Sequence, residues 1–204
     1  MSTPLDRLDP ERRALLVRAA ADEFASAGLE GASLNRIIRA CGMSKSSFYH
    51  LFESKQDLVY RVIGDLTAQV RSGLDVPAPE SFAERFWVSV EQFLVRLEQD
   101  LVADHDALVL GRLFYAATPD GTQAGVVAEI SAWVAQVLQI GREVGAVRAD
   151  LPADLQLALV VAVLRTMDEW AVRELASEAA TAESAPGAAR GGVVVDALRR
   201  LLCA

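Results

Sequence analysis

Apolar residues recur at spacings of three and four along most of the chain, and no window keeps the alternation of a half-buried strand. The expected fold is all-α, with about nine helices. Asp9-Pro10-Glu11 opens the first: Asp caps, Pro suits the first helical position and Glu complements the positive dipole end. Leu16, Ala20 and Phe24 form its stripe, and Gly28 ends it. Ser33 caps a short second helix to about Ala40, with Leu34, Ile37 and Ile38 inward. Gly42 suits a left-handed turn, and Ser44 caps a third helix, Lys45 to about Leu51. Ser54-Lys55-Gln56-Asp57 opens a fourth that runs to about Leu74.

Val76-Pro77-Ala78-Pro79 interrupts this series and is the best candidate for a domain boundary by composition. Beyond it, Ser81-Phe82-Ala83-Glu84 reads as a capping box, followed by Phe86, Val90, Phe93, Leu97 and Leu101 at helical spacing. A corner is expected at Ala103 to Asp106, then a helix through Tyr115 and a turn at Thr118-Pro119-Asp120-Gly121. Val126, Ile130, Trp133, Val137 and Val144 make another stripe. From Pro152 to about Ala176 the helix is apolar nearly all round, notably Leu155 to Leu164, so it requires cover on more than one side. Ala179 to Gly192 reads as a mobile connection, and Val193 to Leu202 as a last helix.

The longest apolar run, Leu157 to Leu164, is far short of the roughly 20 residues a bilayer needs, so no membrane span is expected. The opening Met1-Ser2-Thr3-Pro4-Leu5-Asp6 lacks the basic and apolar regions of a secretion signal, which points to the cytoplasm. Two cysteines, Cys41 and Cys203, do not make a disulfide framework. The net charge of −8 argues at first against nucleic acid, but its distribution is uneven. Residues 1–62 carry 9 Lys+Arg and 8 Asp+Glu, whereas the remainder carries 11 and 20. A small basic patch, Arg36, Arg39, Lys45 and Lys55, therefore sits on an acidic body.

Two short helices joined by a tight turn at Gly42 form a helix-turn-helix, and its chemistry suits double-stranded DNA. Lys45, Ser46 and Ser47 lie on the first turn of the third helix, where small or flexible polar groups reach base edges in a major groove. Ser33, Ser44, Tyr49, His50 and Lys55 are the candidate phosphate ligands, and Arg36 is balanced between backbone contact and solvation. No metal site is expected: His105 between Asp104 and Asp106 reads as a solvated corner. No cofactor is implied, because no Gly-rich phosphate loop occurs. Scattered His and Cys give no catalytic spacing, so the chain is not expected to be an enzyme.

Residues Leu16 to Leu58 resemble the DNA-binding domain of TetR-type transcriptional regulators. The resemblance is carried by Ala20, Phe24, Gly28, Ser33, Ile37, Ala40-Cys41-Gly42-Met43-Ser44-Lys45, Phe48-Tyr49-His50-Leu51-Phe52, Lys55 and Leu58. Ser33 stands where threonine is usual, Ser46 where glycine is common, and Leu51 where histidine or tyrosine often sits. The resemblance implies a DNA-binding domain at residues 9–53 and a ligand-binding and dimerisation domain at residues 54–204. It also implies a homodimer on an inverted-repeat operator and a small-molecule inducer of unknown identity.

Physics favours pairing too, since a few base contacts on one short helix discriminate by only about 1–3 kcal/mol each. Leu159, Val163, Val194, Leu198 and Leu201 supply the expected dimer interface on the last two helices. Phe86, Trp87, Phe93, Phe114, Trp133 and Trp170, with Arg112 as an orienting polar group, are the candidate ligand contacts. The expected function is a repressor released by its inducer. The alternative is a helix-turn-helix regulator that acts through protein partners without a small molecule.

Overall fold

The computed structural model describes residues 5, 8–117, 121–181 and 190–203. Among them there are nine α-helices and no strand. These are α1 (Pro10–Gly31), α2 (Leu34–Ala40), α3 (Lys45–Leu51), α4 (Lys55–Gly73), α5 (Phe86–Ala103), α6 (His105–Ala116), α7 (Gly121–Glu143), α8 (Ala153–Thr181) and α9 (Arg190–Leu202). They form two compact units. The first takes in residues 1–73 and 104–123, the second residues 74–103 and 124–204. The start of α4, where the boundary between residues 53 and 54 is expected, lies inside the first unit, and the break at residues 76–79 lies just past the division at residues 73 and 74.

The first unit is built from α1 to α4 and α6. Asp9 caps α1 by accepting from the Arg12 amide at 3.0 Å. Gly28 interrupts α1 with φ +69°, so the regular helix ends where the glycine allows a left-handed residue. Leu16, Ala20 and Phe24 are buried on α1, against Ile37, Phe48, Phe52, Leu58, Val62 and Ile63. Val109 and Leu113 of α6 complete this core. Each large apolar side chain so buried contributes about 1.5–3 kcal/mol relative to exposure. Asp65 of α4, also buried, accepts from Arg13 of α1 (Nε–Oδ1 2.7 Å) and from Gln69 (2.9 Å). A buried charge needs such partners, and this pair fixes α1 against α4.

In the second unit α5, α7, α8 and α9 enclose Phe82, Phe86, Val134, Val137, Leu138, Val160, Leu198 and Leu202. Gly141 is required there, because a Cβ would lie 2.7 Å from ring carbons of Phe86. Gln156 is buried and fully engaged: its Oε1 accepts from Arg142 Nε at 2.7 Å and its Nε2 donates to the Arg148 carbonyl at 3.0 Å.

Three expectations are corrected. Ser81 does not cap a helix; Pro79–Phe82 forms a 3-10 turn, the Ser81 hydroxyl donates to the Ala78 carbonyl at 2.7 Å, and α5 starts only at Phe86. On α7 the buried stripe is Val134, Val137 and Leu138, and Ile130 and Val144 are exposed. The stretch Gln123–Glu143 has the length and composition of a membrane span, which the run-length argument overlooked because Ala, Gly and Ser are interspersed. Val134, Val137 and Leu138 of that stretch pack in the second core, while Val127 and Ile130 are exposed. Of the connection expected at residues 179–192, residues 179–181 and 190–192 are helical, and residues 182–189 lie outside the described residues. Of the expected turn before α7, residues 118–120 also lie outside them.

Candidate nucleic-acid interface

The α2–turn–α3 unit is held from behind and open in front. Gly42 takes φ +63°, and the turn closes with the Met43 amide donating to the Ile38 carbonyl at 3.1 Å. Ser44 then caps α3, accepting from the Ser47 amide at 3.0 Å, with the two hydroxyls 2.8 Å apart. Phe48 and Phe52, buried to within 1% of full enclosure, anchor the inner face of α3. Lys45, Ser46, Ser47, Tyr49 and His50 are all exposed, and at 100° per residue Ser46 and His50 lie about 160° round the helix from Phe48. Tyr49 is 56% exposed despite its ring, and that ring meets Phe48 edge-on at 5.7 Å. An exposed aromatic with a hydroxyl tip, supported from beneath, is poised for a polar surface.

The charged residues differ in freedom. Neither Lys45 nor Arg39 has an ion-pair partner among the described residues. Arg36, by contrast, is clamped by Glu23 of α1, with Nε donating at 2.8 Å and Nη2 at 2.5 Å. Glu23 also accepts from the Ser33 amide at 2.7 Å, so one carboxylate fixes both the arginine and the start of α2. The Arg36 guanidinium, then the Ser33 amide, hold the Glu23 carboxyl below its usual range. Ser33 caps α2 as expected, accepting from the Arg36 amide at 3.4 Å.

Lys55 is half-buried, and its ammonium donates to the carbonyls of Glu30 (2.9 Å) and Ala32 (3.3 Å) at the end of α1. It therefore satisfies helix-end carbonyls that lack intrahelical partners. Glu23 is the residue that sequence reasoning missed here. It sits ten positions before Ser33, a separation that no helical or motif period flags. Cys41 is buried, and burial pushes its thiol up, away from the reactive thiolate.

Residues 16–62 match the family model described as bacterial regulatory proteins, tetR family. This segment is therefore similar to the DNA-binding domain of the tetR family. The tetR-family match covers α2 and α3 entire, with most of α1 and the first part of α4. The HTH-type transcriptional regulator YdgC of Bacillus subtilis is 30% identical over 99 residues, covering 44% of this chain. The match spans about half the length of that relative (49%). Among solved structures, FadR from Bacillus subtilis in complex with stearoyl-CoA has TM-score 0.63 at 12% identity, over 91% of this chain and 96% of that one. NalD, the secondary repressor of the MexAB-OprM multidrug efflux pump in Pseudomonas aeruginosa, has TM-score 0.57 at 17% identity, over 95% and 97%. These likenesses show that the fold continues through the second unit.

Of the residues considered for a ligand, Phe86, Trp87, Phe93 and Trp133 line one apolar cavity of about 60 Å³ in the second unit. Trp87 and Trp133 have their indole N–H groups engaged, with the Ala146 carbonyl at 3.0 Å and the Pro77 carbonyl at 2.9 Å. Arg112 and Phe114 belong to α6 in the first unit, and Trp170 is 38% exposed on α8. The five residues considered for dimerisation also separate. Leu159 is exposed, Val163, Val194 and Leu201 are half-buried, and Leu198 is buried in the core of its own unit. Among the described residues, Leu155, Leu159 and Trp170 of α8 and Val193 of α9 are the large apolar side chains these helices expose. His105 stands at the start of α6, 3.6 Å from Asp22, and no metal-holding cluster occurs among the described residues.

Proposed function

We propose that this protein is a DNA-binding transcriptional repressor that works as a homodimer and leaves its operator when a small molecule occupies the second unit. The observation that carries the reading is the outward face of α3, where Lys45, Ser46, Tyr49 and His50 are exposed around an unpaired cation. Lys45 and Ser46 read base edges; Tyr49, His50, Ser33 and Ser44 lie against the phosphates. Arg36 keeps 60% of its side chain exposed while paired to Glu23, so it offers a free edge to the backbone. Lys55, with three N–H donors and two spent on carbonyls, has one left for phosphate. Ser47 has its hydroxyl against Ser44, which makes it the weaker base reader of the pair Ser46 and Ser47.

Exposed Leu155, Leu159, Trp170 and Val193 give α8 and α9 the material for a twofold contact. Repression and its release are supported by the likeness to NalD, a repressor, and to FadR, solved with an acyl-CoA. A cytoplasmic location follows from the same reading. A ligand that favours the arrangement with lower DNA affinity must itself bind the DNA-free protein more tightly, by the same factor.

Footprinting of the purified protein on the DNA flanking its own gene tests the reading, with an inverted repeat expected. Lys55→Ala should weaken binding to every sequence and lower the salt slope by about one unit, whereas Ser46→Ala should alter base preference. A protein that protects no DNA at low salt would overturn it.

A further inference from the structure

Two cavities of the second unit share one wall. The inner one, about 60 Å³, lies among α5, α7, α8 and α9, and carbon atoms alone line it, since both tryptophan N–H groups nearby are spent on backbone carbonyls. The outer one, about 210 Å³, lies between residues 74–76 and one face of α5, with Phe93 and Leu97 as floor and Asp75, Arg96 and Asp100 as rim. Phe93 lines both, its ring 5.2 Å from that of Trp133. None of the three rim charges has an ion-pair partner among the described residues.

We propose that the two spaces form one site for an amphipathic organic cation, its hydrocarbon end in the inner cavity and its charged head between Asp75 and Asp100, with Phe93 as the movable partition. The proposal deepens, and rests on, the reading of the second unit as the ligand-sensing part. Size favours the joining: the spaces of about 210 and 60 Å³ together approach the lower end of the roughly 300–1,000 Å³ typical of small-molecule pockets, and displacement of one phenyl ring merges them. Chemistry sets the orientation. A polar atom in the inner cavity would lose its water and find no partner.

Charge selects the head. Arg96 and Asp100 are one turn apart on α5 and offset each other, which leaves Asp75 in excess. The unit as a whole carries 16 Asp+Glu against 9 Lys+Arg, so its field attracts cations and repels anions.

Trp87 and Trp133 border the inner cavity and provide the readout. Their emission is followed, together with calorimetry, as the full chain is titrated with decyltrimethylammonium, decanoate or decanol below micelle-forming concentrations. The expected result is saturable binding of the cation at one per chain, about tenfold or more tighter than decanoate. Asp75→Asn with Asp100→Asn, both at exposed positions, should erase that preference while decanol binding stays. Val160→Phe, which fills the inner cavity, should abolish binding of all three. Decanoate binding as tightly as the cation, a preference that survives the double variant, or no saturable binding would each overturn the proposal. Cation binding that leaves the DNA footprint unchanged supports this site and counts against the sensing reading instead. A footprint that responds to other compounds, with no cation bound, sinks this proposal alone.

Discussion

Glu23 shows how much one side chain beside the helix-turn-helix decides. Its carboxylate holds the Arg36 guanidinium and the Ser33 amide together, at 2.5–2.9 Å and 2.7 Å. Glu23→Gln keeps the shape and removes the charge, so it should lower Tm by a few degrees, as expected for loss of a charge-assisted hydrogen bond in a chain of this size. The folded-state pKa of Glu23 is depressed, so its stabilisation is complete above the ordinary carboxylate range and is lost as pH falls through the lowered value. The Tm difference between wild type and variant should therefore be constant near neutrality and shrink in acid, which thermal melts across pH will check. Lys55 belongs to the same scale. Because its ammonium caps the end of α1, Lys55→Met should cost about 1 kcal/mol in a urea melt with no DNA present. A solvated helix-start charge would cost nothing measurable.

The helices themselves were legible wherever a local device marks their ends. Ser33, Ser44 and Gly42 placed α2 and α3 to the residue, because a hydroxyl cap and a left-handed turn act within three residues of themselves. Gly42 has open space where a Cβ would stand, so its cost on substitution is purely one of backbone conformation. Gly42→Ala should destabilise by about 1–2 kcal/mol in chemical denaturation, and Gly42→Asn by less, because Asn tolerates the left-handed region. The start of α5 was misplaced for a related reason. Ser81-Phe82-Ala83-Glu84 has the letters of a capping box, but Pro79 begins a 3-10 turn that uses the Ser81 hydroxyl first. The stripe on α7 was shifted because Ala and Gly intervene, and apolar spacing alone does not say which of two faces meets a neighbour.

For the molecule as a whole, the two units differ in charge. The second is acidic with 16 Asp+Glu against 9 Lys+Arg, whereas the free cations Arg39 and Lys45 lie in the first. Operator binding should accordingly be steeply salt-dependent despite a net charge of −8. On the dimer reading, Leu159 is the informative position, being 37% exposed and not required by its own core. Leu159→Glu should leave the helix content of the fold unchanged yet convert the protein to monomer in sedimentation experiments, with apparent stability lowered by the lost association. A variant that still sediments as a dimer would move the interface elsewhere.

Helix periods, caps and the helix-turn-helix were all written in the order of residues, because each depends on interactions within about one turn of chain. The clamp of Glu23 on Arg36, the tie of Lys55 to the end of α1 and the Arg13–Asp65 pair were not, since they join residues 13, 25 and 52 positions apart. The same holds for the partition of the aromatic residues. Phe93 and Trp133 came to border one cavity while Phe114 joined the other core, and only the packing of helices distant in sequence decides which side chains share a volume.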